Sequence, residues 1–338
     1  MDRETDDTYL KNKERKKMVE KIRIEYPRQT AIVEEIKQCR EKSKYSREPR
    51  CMFIYGRPGV GKSTIKDIFI EKCIAEMSDK GKSNELPILS MNAPVQATTK
   101  SLVSHMLLAL GDPAYEKGTK QSMSARVETM MRKKGIEIII LDEFQRFIDF
   151  RSNRVLREVA ETLTIFMNNT RIPMVLIGLP MAKEVFNNEE YLARRFLLQK
   201  EITPFQWRTE ADKQEFINFL AMIENSLSLG ERSHLYGEEM AFDIHRATDG
   251  IAHYVMALIK ESFELAIESG SERISSAFLA KVFDEQLRNV FKSRANPFML
   301  SIKTEKDKQT GNIEQAMKEQ RNGKKERNNK NIGEILRA

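Results

Sequence analysis

The sequence predicts an α/β domain with a parallel five-stranded sheet flanked by helices, followed by a small C-terminal all-helical lid domain. From residue 50 onward, short apolar runs rich in branched side chains alternate with longer helical stretches. This alternation is typical of parallel strands that are joined by helical crossovers. After Trp207 the strand pattern ends and only helical periods follow, which indicates a second, all-helical domain.

Five apolar runs account for the predicted strands. They are Cys51–Tyr55, Leu86–Met91, Ile136–Leu141, Ile172–Ile177 and Leu197–Thr203. Before the first run, Pro27 interrupts a stretch of spaced apolar residues. Because proline is tolerated at the start of a helix and not in its interior, we expect an extended segment and then a helix from about Arg28.

Four amphipathic stretches predict the helices of the second domain. They are Glu210–Leu227, Met240–Thr248, Ile251–Ile267 and Ile274–Val290. The predicted organisation has a charged N-terminal extension (1–21), an N-terminal helix with the α/β domain (22–207), a helical lid domain (208–295) and a basic tail (296–338). Apolar residues are sparse in the tail, so we expect it to be disordered in isolation, with Ile332–Leu336 available to anchor a partner.

Composition narrows the classes of protein that the chain can represent. Its 57 lysine and arginine residues against 50 aspartate and glutamate residues give a formal net charge of +7, a mild preference for a polyanionic partner. The three cysteines lack the even count and spacing of a disulfide framework or a zinc site, which indicates a reducing compartment. The first 21 residues contain no apolar targeting region, and no apolar run is long enough to span a bilayer. We therefore expect a cytoplasmic protein without a membrane partner.

A phosphate-binding loop follows the first predicted strand. Residues 56–63 fit the pattern G-x-x-x-x-G-K-[ST] and open a helix, so both contextual conditions on this motif are met. Glycines let backbone N–H groups surround phosphates, Lys62 reaches the β- and γ-phosphates, and the Ser63 hydroxyl can ligate Mg²⁺. A glycine-rich turn before a helix is the alternative, but it does not require lysine and serine at these offsets. The predicted ATP-binding residues of this segment are Gly56, Arg57, Pro58, Gly59, Val60, Gly61, Lys62, Ser63 and Thr64.

The third predicted strand ends in two acidic residues, Asp142 and Glu143. We expect this strand to lie beside the first strand, so that Asp142 binds Mg²⁺ together with Ser63 and completes the nucleotide site. Glu143 is then placed to orient and deprotonate the attacking water. A helix N-terminus favours acidic residues and explains either carboxylate alone, but not both in combination with the loop. Together they predict a P-loop ATPase of the AAA+ type in which Lys62 and Glu143 are catalytic.

Other parts of an AAA+ ATPase are less distinct in this sequence. AAA+ proteins often carry a polar residue that senses the γ-phosphate at the end of the fourth strand, where this chain has Gly178-Leu179-Pro180. We expect that sensor to be missing or displaced. Arg194 and Arg195 stand where an arginine finger reaches the nucleotide of a neighbouring subunit; an exposed or acid-paired arginine pair is the alternative. His253 occupies the usual place of a second sensor, which lacks its customary arginine; a histidine on a helix surface is the alternative.

These motifs and their flanks resemble the TniB/TnsC family of AAA+ transposition regulators, which are relatives of MuB. The resemblance covers about residues 22–270 and is carried by the order and spacing of short elements. They are Ile24-Glu25-Tyr26-Pro27, Arg50–Gly56, Asn92-Ala93-Pro94, Leu141-Asp142-Glu143-Phe144-Gln145, Arg195-Phe196 and Phe205-Gln206-Trp207.

The resemblance implies a protein that assembles with ATP as rings or helical filaments on duplex DNA, marks a target site and recruits transposase. Hydrolysis then drives disassembly. The implied partners are double-stranded DNA, transposase subunits, a target-selection protein and further copies of this chain. The implied DNA contacts are to phosphates, through Thr99, Lys100 and Lys120, so sequence preference is slight and affinity falls with salt. An ordinary exposed lysine or a helix-capping threonine is the alternative at these positions.

Two other classes of protein stay open at this point. A helicase loader or replication initiator is also an AAA+ ATPase, but it commonly carries a clear polar first sensor and a second-sensor arginine. A signalling or defence NTPase uses nucleotide as an assembly switch without binding DNA, and usually adds an effector or repeat domain. The sequence contains no internal repeat of 20–50 residues.

Overall fold

The computed structural model of the chain describes residues 12–79, 86–95, 98–148, 153–299 and 302. The chain divides into two units. The α/β unit comprises residues 23–204 together with 251–253, and the helical unit comprises the described parts of residues 1–22, 205–250 and 254–338. The predicted anchor at Ile332–Leu336 lies outside the described residues.

The α/β unit is built on a five-stranded sheet in the order β2-β3-β4-β1-β5. Its strands are β1 (Met52–Gly56), β2 (Ile88–Asn92), β3 (Ile138–Asp142), β4 (Met174–Gly178) and β5 (Leu198–Ile202). All neighbouring strands pair in parallel, which confirms the predicted fold class. The three inner strands are buried at every residue, and burial on both faces explains why they are continuous apolar runs.

Strand β4 lies between β1 and β3, so the expectation that the third strand adjoins the first is wrong. In the observed register, Ile54 pairs with Ile177 and Ile140 pairs with Val175. Apolar runs of equal character do not reveal which strands are neighbours, because all three inner strands meet the same requirement for burial. As a consequence, the carboxyl end of β4 lies between the phosphate loop and the acidic pair.

Helices cover both faces of the sheet. They are α2 (Pro27–Ser43), α3 (Lys62–Asp79), α4 (Thr99–Ala109), α5 (Lys120–Lys133), α6 (Asn153–Thr170), α7 (Glu184–Asn188) and α8 (Glu190–Arg195), with short 3-10 turns at Phe144–Phe147 and Pro180–Lys183. Alternate residues of β1 face opposite cores. Phe53 belongs to the cluster that includes side chains of α4, α5 and α6, and Ile54 belongs to the cluster that includes side chains of α2 and α3. The sheet is therefore held rigidly from both sides, which fixes the positions of its strand ends.

The described residues of the helical unit form helices and no strands. They are α1 (residues 12–20), α9 (Glu210–Ser226), α10 (Glu238–Thr248), α11 (Ala252–Glu268), α12 (Ser276–Val282) and a π-helical turn at Phe283–Leu287. The charged N-terminal stretch belongs to this unit, since Lys16 Nζ lies 2.6 Å from Glu268 Oε1. Packing continues past residue 295, where Phe298 is fully buried. None of the helices in the described part of the chain is long and apolar enough to cross a membrane.

Candidate nucleotide-binding and hydrolysis site

The loop between β1 and α3 has the backbone shape of a phosphate cradle. Gly59 and Gly61 have φ values of 80° and 96°, in the region that glycine adopts without the steric cost of a Cβ. A side chain at Gly61 would also displace a neighbour, because its Cβ would lie 2.8 Å from Gln29 Nε2. Across the loop, the backbone N–H of His253 donates to the carbonyl oxygen of Gly59 at 3.0 Å. Both glycines are thus required for this shape, and the helix N-terminus beyond them favours an anion.

Lys62 lies over this loop. Its Nζ donates hydrogen bonds to the carbonyl oxygens of Gly56 at 2.8 Å and Arg57 at 2.9 Å. Burial lowers the pKa of Lys62, while the nearby carboxylates of Asp142 and Glu143 act in the opposite direction. The two acids thus partly offset the effect of burial on the pKa of Lys62, and the compact ammonium group of a lysine suits phosphate as a point charge.

Asp142 places a buried carboxylate beside the start of α3. Only 3% of the residue is exposed, and its Oδ2 accepts hydrogen bonds from Ser63 Oγ at 3.3 Å and Lys66 Nζ at 2.9 Å. A hydroxyl and a carboxylate are the hard oxygen ligands that Mg²⁺ prefers. The donor set therefore fits the predicted metal, and Lys66 supplies the positive charge that a buried carboxylate needs.

Lys66 was not predicted as a site residue. It follows Lys62 by four positions on α3, and residues four apart lie on the same face of a helix. That spacing places a second lysine one turn behind the first and was available in the sequence. What the spacing does not give is its partner, because Asp142 comes from a different strand.

Glu143 follows the end of β3 in an unusual backbone conformation. Its φ and ψ are 58° and 34°, a left-handed conformation that is uncommon for residues other than glycine. Its backbone N–H donates to Asp142 Oδ1 at 2.8 Å, and its carboxylate accepts a hydrogen bond from Gln145 Nε2. Strained backbone of this kind concentrates at functional sites, which is consistent with the predicted role of Glu143 as the base.

The two predicted finger arginines differ in their surroundings. Arg194 has 75% of its side chain exposed and lies 3.0 Å from Glu190 Oε1 on its own helix. Arg195 has 18% exposed, with Nη1 3.2 Å from Glu48 Oε2 and Nη2 donating to Asn168 Oδ1 at 2.8 Å. To reach another molecule, Arg194 would give up only an exposed pair with Glu190, whereas Arg195 would lose its contacts with Glu48 and Asn168. The finger itself stays a prediction.

The three predicted DNA contacts are also unequal. Lys100 and Lys120 are exposed near the N-termini of α4 and α5. Thr99 is only 7% exposed, so it offers little surface to a phosphate. It does not cap its helix either, because Thr98 holds that position and accepts a hydrogen bond from the Ser101 backbone N–H at 3.0 Å. The alternative reading of Thr99 as a cap is wrong, and the DNA contacts stay predictions.

Replacing Lys66 by methionine is expected to destabilise the nucleotide-free protein by about 3 kcal/mol, because it leaves the Asp142 carboxylate buried without its cation. Mg²⁺ with ADP is expected to restore most of this loss by supplying a cation to the same carboxylate. Thermal unfolding with and without Mg²⁺ and ADP measures both effects. Lys72→Met is the matched control, since Lys72 lies on the same helix in an exposed pair with Glu25. Equal losses with and without Mg²⁺ and ADP would show that Lys66 and the metal do not share the carboxylate.

Comparison with known proteins finds one matching family and several structures of similar fold. A family model described as "Bacterial TniB protein" matches residues 15–209. No curated protein sequence matches the chain significantly. The fold is similar to the Aeropyrum pernix ORC1 protein in complex with DNA, at 16% identity over 78% of this chain and 66% of that chain, with a TM-score of 0.59. This chain thus spans just under two thirds of that protein's length.

Two further structures have the same fold. The Aeropyrum pernix ORC2 protein matches at 16% identity over 78% of this chain and 68% of that chain, with a TM-score of 0.58. Cdc6p from Pyrobaculum aerophilum matches at 16% identity over 77% and 67%, with a TM-score of 0.57. At this identity the likeness establishes the fold alone, and it confirms the predicted AAA+ architecture of a parallel sheet followed by helices.

Proposed function

The chain belongs to the TniB family, and from this membership we propose that it is an ATP-dependent, DNA-binding regulator of transposition. In this proposal, ATP-bound subunits assemble on duplex DNA as a ring or filament. The assembly marks the target site and recruits transposase under the direction of a target-selection protein. ATP hydrolysis then returns the subunits to a form that leaves DNA.

The observation that carries the ATPase part of this proposal is the meeting of three chemical groups at one edge of the sheet. The loop amides with Lys62 suit the phosphates, Ser63 and Asp142 suit Mg²⁺, and Glu143 suits the attacking water. When bound, Mg²⁺ offsets the negative charge that develops on the transferring phosphoryl group. The protein contributes by holding these groups in fixed relative positions, and we assign this role to the buried strands β1, β3 and β4.

Exposed basic groups support the assembly part of the proposal. Arg194 extends from α8 with most of its side chain in solvent, where it can approach the nucleotide of a second copy. An arginine supplied by another subunit makes turnover depend on assembly. Such dependence suits a protein that is required to remain on DNA until the assembly is complete.

Two hydrogen bonds that join the hydrolysis site to the residue after β2 support the DNA part. The backbone N–H of Ala93 donates to the Asp142 carbonyl oxygen at 2.8 Å, and Arg146 Nη1 donates to the Ala93 carbonyl oxygen at 2.7 Å. Ala93 begins the segment that leads from β2 to α4. A shift of the turn after β3 therefore acts directly on Ala93, the residue that follows β2 on the way to α4.

The test is binding to a random-sequence duplex with ATP, ADP or a non-hydrolysable analogue across a salt series, combined with negative-stain imaging. We expect sequence-independent binding that requires ATP or its analogue, weakens with salt and produces rings or filaments. Lys100→Ala is expected to weaken binding to all sequences and to reduce the salt slope by about 1. Lys133→Ala is the matched control, because Lys133 is also exposed but lies at the far end of α5.

Each part of the proposal has its own contrary result. Nucleotide binding without DNA binding under every condition overturns the DNA role and favours a signalling NTPase. DNA-bound assemblies that load a helicase and do not respond to transposase favour a loader. Equal effects of Lys100→Ala and Lys133→Ala overturn the assigned DNA contact while leaving the rest in place.

A further inference from the structure

A polar side chain from another segment occupies the space beside the carboxyl end of β4. The strand closes on Gly178-Leu179-Pro180, without a polar side chain of its own. Gln145, in the 3-10 turn that follows β3, reaches this point. Its Oε1 accepts a hydrogen bond from the Leu179 backbone N–H at 3.0 Å, and its Nε2 donates one to Glu143 Oε2. Gln145 thus links the candidate base to the end of the neighbouring strand.

Chemistry fixes which end of the Gln145 amide faces each partner. The Leu179 backbone N–H can only donate, so the atom that faces it is the amide oxygen. An ionised Glu143 carboxylate can only accept, so the amide NH₂ group faces it. A glutamate at position 145 would oppose one carboxylate with another, and an asparagine would be one methylene shorter. The bridge therefore requires both the length and the amide of glutamine.

The absence of a side chain at Gly178 leaves room for this bridge. A Cβ on Gly178 would lie 3.0 Å from Gln145 Oε1 and 3.3 Å from the Ala182 Cβ. The φ of Gly178 is not in the left-handed region, so it is space and not backbone freedom that favours glycine here. Because protein interiors are closely packed, a Cβ added at Gly178 would displace the Gln145 amide that it touches. Gly178 and Gln145 are thus coupled.

We propose that Gln145 is a positioning residue for ATP hydrolysis, which holds the Glu143 carboxylate and supplies the polar group that the end of β4 lacks. The inference rests on the proposed ATPase function. A general base acts only when it lies within hydrogen-bond reach of the proton that it takes. Glu143 has rotatable side-chain bonds, and the contact with Gln145 restricts them. Gln145 acts through Glu143 and does not itself take the proton.

Gln145→Met tests this role, because methionine has a similar length but cannot make either hydrogen bond. We expect kcat to fall between about ten- and a hundredfold, while the affinity for a fluorescent ATP analogue with Mg²⁺ stays within about twofold. In the nucleotide-free protein, hydrogen exchange at the Leu179 amide is expected to accelerate, since its acceptor has been removed. This last readout needs no turnover.

Gly178→Ala provides a second, independent variant. Its Cβ displaces the Gln145 amide, so kcat is expected to fall with Gln145 present. In a Gln145→Ala background the displaced group is gone, and adding Gly178→Ala is expected to have little further effect on kcat. Additive losses would indicate that Gly178 acts by some other route and would overturn the coupling.

The outcomes separate this inference from the proposed function. If the wild type hydrolyses ATP and Gln145→Met keeps its kcat, the positioning role is overturned and the ATPase stands. If the wild type binds the ATP analogue but never hydrolyses ATP, with or without DNA, both are overturned. Should Gln145→Met fail to fold, Gly178→Ala decides the matter, and an unchanged kcat in that variant overturns the role.

Discussion

Replacing Glu143 by glutamine is expected to reduce ATP turnover by about a hundredfold or more, because it removes the general base while keeping the shape of the side chain. Nucleotide binding is expected to persist, since the loop, Lys62, Ser63 and Asp142 are unchanged. The new glutamine can still contact Gln145, because it can present its own amide oxygen to the Gln145 NH₂ group while Gln145 keeps its orientation toward Leu179. The loss therefore belongs to the proton transfer and not to a collapse of the site. Steady-state phosphate release and fluorescent-nucleotide binding measure the two quantities separately.

The same variant is expected to leave rings or filaments on DNA for longer than the wild type, because ATP remains intact in every subunit. Imaging after a chase with unlabelled duplex measures their lifetime. Glu161→Gln is the matched control, since Glu161 is an exposed acid on α6 and is expected to behave as wild type. Rapid turnover by Glu143→Gln would assign the base to another residue. Short-lived assemblies despite blocked turnover would separate disassembly from hydrolysis.

The three inner strands of this fold were predictable because their burial on both faces requires continuous apolar runs. The run Ile136–Leu141 became β3 at Ile138–Asp142, and Ile172–Ile177 became β4 at Met174–Gly178. The phosphate loop was predictable because glycine, lysine and serine at fixed offsets have few other uses. In both cases the physical requirement acts on neighbouring residues, so one short segment contains the whole signal.

Contacts between distant segments were not predictable in this way. The position of β4 between β1 and β3 depends on pairing, which an apolar run does not encode. The bridge from Gln145 to Leu179 spans two strands, and nothing in either segment alone indicates the other. The α1 helix of the helical unit was not predicted, because its sequence lacks the apolar stripe by which helices are recognised. Its contacts include ion pairs with distant residues, such as Lys16 with Glu268.

Replacing Gly56 by alanine is expected to destabilise the α/β unit by about 4 kcal/mol or more. Only severe packing or backbone conflicts produce losses of this size. A Cβ at this position would lie 2.3 Å from the Ile202 carbonyl oxygen and 2.9 Å from Val60 Cγ2. Gly56 pairs with Ile202 in the sheet, so the first conflict is with backbone that cannot rotate away. Relief requires β1 and β5 to separate, and nucleotide binding is expected to be lost with them because Gly56 begins the phosphate loop.

Hydrogen exchange at the amides of β1 and β5 measures this effect directly. The single tryptophan, Trp207, lies in the helical unit, so its fluorescence does not report on the sheet, and a chain of two units need not unfold in one step. Gly135→Ala is the informative control, because Gly135 has a φ of 62° with no neighbouring atom within 4 Å of an added Cβ. It is expected to cost about 1–2 kcal/mol from backbone strain alone. Similar losses in both variants would mean that β1 and β5 accommodate the added methyl group by a small shift, and that close strand contact is not what requires glycine at the start of the loop.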